Sequence, residues 1–256
     1  MIQRKHEFVE GEFYHLYNRG NSKQKIFLDI QDKDRFSKLL YLHNSLKNIN
    51  FRDDIVERGI DAWDFDRGEP IVSIGAWVLM SNHFHIYITI PPAPMSSVGE
   101  NGVENIKENA VSLFMRKVLT SYVKYFNKKY EHAGSLLESN FKSTLVDTDE
   151  YAKYLFSYIN LNPVKVIDPE WKEKGIKDVQ KAKDFLKNYQ WSSYQDYIGI
   201  NRVQRKILTT KDFPEYFTNV KIFEREIFEW LLFTSPKSDI GQRHRVNDKS
   251  YFKRSG

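Results

Sequence analysis

The chain of 256 residues contains no cysteine. Disulfides and thiolate metal sites are therefore excluded, and a reducing compartment is compatible. No stretch approaches the roughly 18 uninterrupted apolar residues of a membrane-spanning helix, so no span is expected. The opening residues, MIQRKHEFVEGEFYHLYNRG, carry charges where a signal peptide needs an apolar run. A soluble, cytoplasmic protein without a membrane partner is the expectation. No internal repeat is evident.

The 39 Lys and Arg outweigh the 34 Asp and Glu, for a net charge of +5 and a pI of about 9.0. That excess fits a polyanion such as nucleic acid, although many basic proteins bind none. Aromatic residues reach 15%, with 15 Tyr and 18 Phe. They can stack on bases, but packing is their commoner use.

Alternation and aromatics predict a strand over Glu12 to Arg19, ended by the turn residues Asn18-Arg19-Gly20-Asn21. Asp32 to Leu46 carries Phe36, Leu39, Leu40 and His43 at helical spacing behind an Asp cap. Residues 48–70 are polar and read as a loop or insertion. The apolar run Ile71 to Leu79 predicts a buried strand. Met80-Ser81-Asn82 is a hairpin turn, and a second strand starts at His83. PPAPMSSVGENG at 91–102 is a linker by composition. Val103 to Tyr130 is a helix whose apolar face holds Val111, Phe114, Val118, Tyr122 and Phe126. Its lysines and arginines form a solvated face, or a phosphate track if they lie beside the open side of the sheet. Leu136 to Val146 predicts another strand. Asp147-Thr148-Asp149-Glu150 then opens a helix, with Asp147 and Glu150 at capping-box spacing, that must stop near Pro163.

This order is the β-α-β-β-α-β pattern of a ferredoxin-like antiparallel sheet, with a further helix bearing tyrosines. The expected class is α+β, with the first and third strands central and adjacent. Composition changes after Val164, which divides the chain into residues 1–165 and a mostly helical extension, 166–256. The extension reads as a charged helix over WKEKGIKDVQKAKDFLKNYQ, then WSSYQDYIG, then an apolar helix around Phe213 to Phe233. A tail follows in which Lys237, Arg243, Arg245, Lys249, Lys253 and Arg254 outnumber Asp239 and Asp248. It reads as a DNA-binding arm or as a frayed terminus.

The segment SNHFHIYITI begins its strand with two imidazoles two residues apart. Alternation puts His83, His85, Tyr87 and Thr89 on one face and Phe84, Ile86, Ile88 and Ile90 on the other. The apolar set must face the helices, so the histidines are expected on the open side of the sheet. Such a pair is a ready set of metal ligands or simply two surface histidines. In YAKYLFSYINLN, Tyr151, Tyr154 or Leu155, and Tyr158 share a helix face, and Asn162 follows Tyr158 by four residues. A phenol and an amide carbonyl one turn apart can address one ion. Tyrosines at this spacing can equally be core, and Asn-Pro a helix-ending turn. His15, Tyr17 and Arg19 alternate along the first strand and border the same site if that strand neighbours the histidine strand. They then contact DNA or merely pack. Lys142, at the entrance to the last strand, is a phosphate contact or a solvated lysine.

Taken together, YHLYNRGN, WVLMSNHFHIYI and GSLLESNFKSTLVDTDEYAKYLFSYINLNPVK resemble the single-tyrosine HUH transposases of the REP-associated type. These are relatives of the smallest insertion-sequence transposases, and HUH denotes His83-Phe84-His85 here. WSSYQDYIG resembles a segment that longer relatives carry. GSLLESNFKS keeps Phe141-Lys142 but lacks other aromatic and basic residues of the family pattern. The resemblance implies Tyr158 as nucleophile and Asn162 as third metal ligand beside His83 and His85. It also implies single-stranded, hairpin-bearing DNA as substrate and a 5′-phosphotyrosine intermediate. Imidazole and oxygen ligands without thiolate suit Mg²⁺ or Mn²⁺. The alternatives are a domesticated DNA-binding protein that no longer cuts and a metal hydrolase of small molecules. The smallest relatives are dimers that exchange the tyrosine helix, but the long extension here favours a monomer with its own helix in place.

Overall fold

The computed structural model describes residues 7–92, 103–214 and 220–232. Four strands, β1 (Phe13–Arg19), β2 (Ser73–Leu79), β3 (His83–Thr89) and β4 (Lys142–Val146), form one antiparallel sheet in the order β2-β3-β1-β4. The α+β class is as expected, and β1 and β3 are the central neighbours. In their register Tyr17 lies opposite His85, and Arg19 opposite His83.

Helices α1 (Ile30–Leu42) and α2 (Val103–Tyr130) cover one face. Leu16, Phe84 and Ile86 from the strands pack there with Phe36, Val118 and Tyr122. Asp29 caps α1, and Asp29 and Asp32 close a reciprocal capping box, so the helix starts before the expected Asp32 and ends before Leu46. Two basic residues of α2, Lys117 and Lys129, bind on this side of the sheet. Lys117 donates to the carbonyls of Ser45 and Lys47 at 2.8 and 2.9 Å. Lys129 pairs with Asp29 and Asp32. These two lysines tie α2 to the segments around Ser45 and Asp29. Residues 48–70 are not plain loop. They hold a short π-helical turn, Phe51–Val56, whose Ile55 packs in a small core with Leu42, Ile49 and Ala62.

The other face departs from expectation: it is covered. Helix α3 (Asp149–Leu161) and the extension bury Ala76, Val78 and Tyr87 under Leu155, Phe156, Trp171 and Phe213. The physical reason is the composition of α3. Leu155, Phe156, Tyr158, Ile159 and Leu161 are all buried, so the helix needs apolar partners on more than one side. The sheet supplies one side. The extension supplies another, as Tyr197 and Phe223 pack edge-on to Phe156.

Thr148, not Asp147, caps α3 by accepting from the Tyr151 amide. The charged stretch after Pro169 is two helices, α4 (Trp171–Lys174) and α5 (Val179–Asn188), because Gly175 at φ 75° breaks it. Helices α6 (Tyr194–Tyr197) and α7 (Val220–Leu232) follow, α7 lying inside the range expected to be apolar and helical. Strand β4 is shorter than expected, and its lead-in touches Gly20 only through a bridge at Leu137. Residues 93–102 of the expected linker and the basic tail at 237–256 lie outside the described residues. No helix among the described residues is long and apolar enough to cross a membrane.

Candidate active site

The cover leaves one end of the histidine face accessible, where β3 begins. Strand alternation brings His83 and His85 to that end, with ring centroids 5.1 Å apart. The hairpin turn orients the first ring. Asn82 turns its amide nitrogen towards the Lys23 carbonyl at 3.4 Å and its oxygen towards His83 Nδ1 at 2.6 Å. An amide oxygen only accepts, so this contact suits a proton on Nδ1 and turns Nε2 towards the site. That Nε2 lies 3.4 Å from Asn162 Oδ1. An imidazole nitrogen and an amide oxygen, both able to bind a cation through a lone pair, thus lie side by side. Asn162 is held there because Pro163 converts the end of α3 into a 3₁₀ turn over Asn162–Val166. Asn160, one residue from the helix end, is used differently: its side chain joins Phe156 O and the Ser193 hydroxyl.

The second ring is held from across the sheet. His85 Nδ1 lies 2.9 Å from His15 Nε2, and His85 Nε2 lies 3.4 Å from the Tyr158 hydroxyl. Helix α3 delivers that phenol. Tyr154 stacks on Tyr158 with the rings 5° from parallel, at 6.1 Å. Lys172 of α4 places Nζ 3.8 Å from the Tyr158 ring centre. Burial, with Tyr154 nearby, holds the Tyr151 phenol above its usual range.

These groups open into a cleft of about 430 Å³, lined also by Tyr17, Arg19, Lys23, Lys165 and Lys172. The structure therefore brings His83, His85, Tyr158 and Asn162 together. His15 is 1% exposed, lines the cleft and turns its Nε2 to His85. Tyr17 stacks on His15 at 4.8 Å while lining the cleft. Arg19 binds Glu138 through two hydrogen bonds of 2.9 and 2.8 Å, and Lys142 approaches the same carboxylate at 3.6 Å. The Arg19 hydrogen bonds, with Lys142 beside them, hold the Glu138 carboxyl below its ordinary range. Asn82, Lys23, Lys165 and Lys172 were not singled out by sequence. Asn82 and Lys165 lie inside segments that carry the sequence resemblance, whereas no spacing marks Lys172. Among the described residues, no trio of His, Cys, Asp or Glu is arranged to hold a metal. A metal here would need the Asn162 amide.

Comparison with protein-family models and with curated proteins finds no match. One solved structure, described as a REP-associated tyrosine transposase bound to a REP hairpin, is similar with a TM-score of 0.42 and 12% identity. The match covers 80% of this chain and 90% of that one. A likeness that loose carries no functional argument.

Proposed function

We propose that the chain cleaves and rejoins single-stranded DNA, as in transposition, with Tyr158 as nucleophile. His83, His85 and Asn162 would hold a divalent cation, Mg²⁺ or Mn²⁺. One observation carries this reading: a phenol, two imidazoles and an amide oxygen from β3 and α3 converge at the accessible end of the sheet. The cation, when bound, would neutralise a phosphate oxygen that otherwise repels an attacking nucleophile.

The chain's own residues supply the rest. The Tyr158 oxygen bonds to phosphorus and its proton passes to water. The P–O3′ bond breaks, and the 3′ oxygen takes a proton from water to leave as a hydroxyl. The 5′ phosphate stays on Tyr158 as a diester, so a second 3′-hydroxyl can reverse the step without another energy source. Lys23, Lys165 and Lys172 along the cleft suit a polyanionic strand better than a small neutral substrate. A hairpin-bearing strand is the substrate that the sequence resemblance implies.

The test is incubation with a labelled hairpin oligonucleotide and Mg²⁺ or Mn²⁺. The wild type is expected to form a denaturation-resistant protein–DNA adduct. Tyr158→Phe is expected to lose it by on the order of 10³-fold or more, because the nucleophile itself is gone, with hairpin binding nearly unchanged. An adduct on the Phe variant would move the nucleophile to Tyr154 or Tyr151 and sink the assignment. Binding without an adduct on the wild type would leave a non-cutting DNA-binding protein.

A further inference from the structure

Both proposed histidine ligands face the same difficulty. A neutral imidazole carries one proton, and the nitrogen that bears it cannot bind a metal. Each ring must keep its proton on Nδ1 for Nε2 to serve, and a buried N–H needs an acceptor. His83 has Asn82 Oδ1 at 2.6 Å. His85 has no such neighbour in sequence, but His15 Nε2 lies 2.9 Å from its Nδ1.

We propose that His15 is a positioning residue that accepts the Nδ1 proton of His85 and keeps His85 Nε2 bare and aimed at the site. The inference rests on the reading of His85 as a ligand. Three observations support it. His15 is 1% exposed, so water does not compete for its Nε2. Its ring is held against Tyr17 at 4.8 Å and against His85 at 5.0 Å, which limits its rotation. Its Nε2 is turned to His85 at 2.9 Å and not to the open cleft. A carboxylate is the commoner partner for a ligating histidine. A neutral imidazole does the same work without adding negative charge beside a phosphate site.

The expectation is tested first on the wild-type protein without metal, by nitrogen NMR of its labelled histidine rings. His85 is expected as the Nδ1–H tautomer. Finding it as the Nε2–H tautomer would overturn the proposal, and this reading requires no variant to fold. The second measurement is Mn²⁺ binding by calorimetry. His15→Phe is expected to weaken binding by roughly 10–100-fold, and His15→Gln, whose Oε1 can accept the same proton, to recover most of the loss. A folded Phe variant that binds Mn²⁺ like the wild type overturns the proposal alone. A wild type that binds no Mn²⁺ overturns the metal reading, and with it the purpose assigned to His15.

Discussion

His43 and His85 are both nearly buried imidazoles, yet their surroundings give them different work. His85 sits among His15, His83 and Tyr158 at the cleft. His43 caps the end of α1, and its ring hydrogen-bonds the Ser121 hydroxyl at 2.7 Å. Burial first, and Lys117 second, push its imidazole down from 6.5 to about 4. His43 is thus neutral in the fold between those values, while the unfolded chain takes up a proton. Its contribution to stability is full above about pH 6.5 and is lost as pH falls towards 4. The loss is on the order of 3 kcal/mol. Urea midpoints of the wild type are expected to fall over that window, and those of His43→Gln to fall less. Parallel pH curves for the two proteins would refute this.

Among the elements, β2 shows most clearly how the extension joins the sheet. It would be an edge strand, exposing unpaired backbone groups. Instead the Leu79 amide donates to Trp191 O at 2.9 Å, and the Ser193 amide donates to Trp77 O at 2.9 Å. The register of β2 against β3 shifts between Ile74 and Ala76, and Gly75 occupies that irregularity. A Cβ on Gly75 would lie 2.5 Å from Phe213, whose ring packs against Tyr87 at 5.0 Å and Phe13 at 5.5 Å. Gly75→Ala is therefore expected to destabilise by roughly 1–3 kcal/mol. That exceeds the ~0.4–1 kcal/mol that the lost chain entropy would return. Thermal melts check it: Phe213→Leu added to Gly75→Ala should recover part of the loss, and an Ala variant as stable as the wild type would contradict the argument.

For the molecule as a whole, one chain contains every group of the proposed site. Tyr158 meets the His85 of its own chain. The extension fastens α3 through the Ser193–Asn160 hydrogen bond of 2.9 Å and the packing of Tyr197 and Phe223 on Phe156. A site complete in one chain predicts that mixing a His83→Ala variant with a Tyr158→Phe variant yields no DNA cleavage. Restored cleavage in the mixture would mean that α3 is exchanged, and the extension would then need another role.

The order of elements, the shared face of His83 and His85, and the one-turn step from Tyr158 to Asn162 were all legible in the sequence. Each depends on a period of two or 3.6 residues, a property of local backbone geometry. The caps moved by a residue or more because Asp29 and Thr148 compete with equally suitable neighbours, and local chemistry ranks them weakly. Other features were decided only by the tertiary structure: the covering of the histidine face, the His15–His85 contact, the seat of Phe213 on Gly75 and the approach of Lys172 to Tyr158. These join residues far apart in the chain, where no repeat in the sequence ties one to the other. His15 shows the limit best. Alternation placed it on the same face of β1 as the site, but only the tertiary structure shows its burial and its 2.9 Å contact with His85.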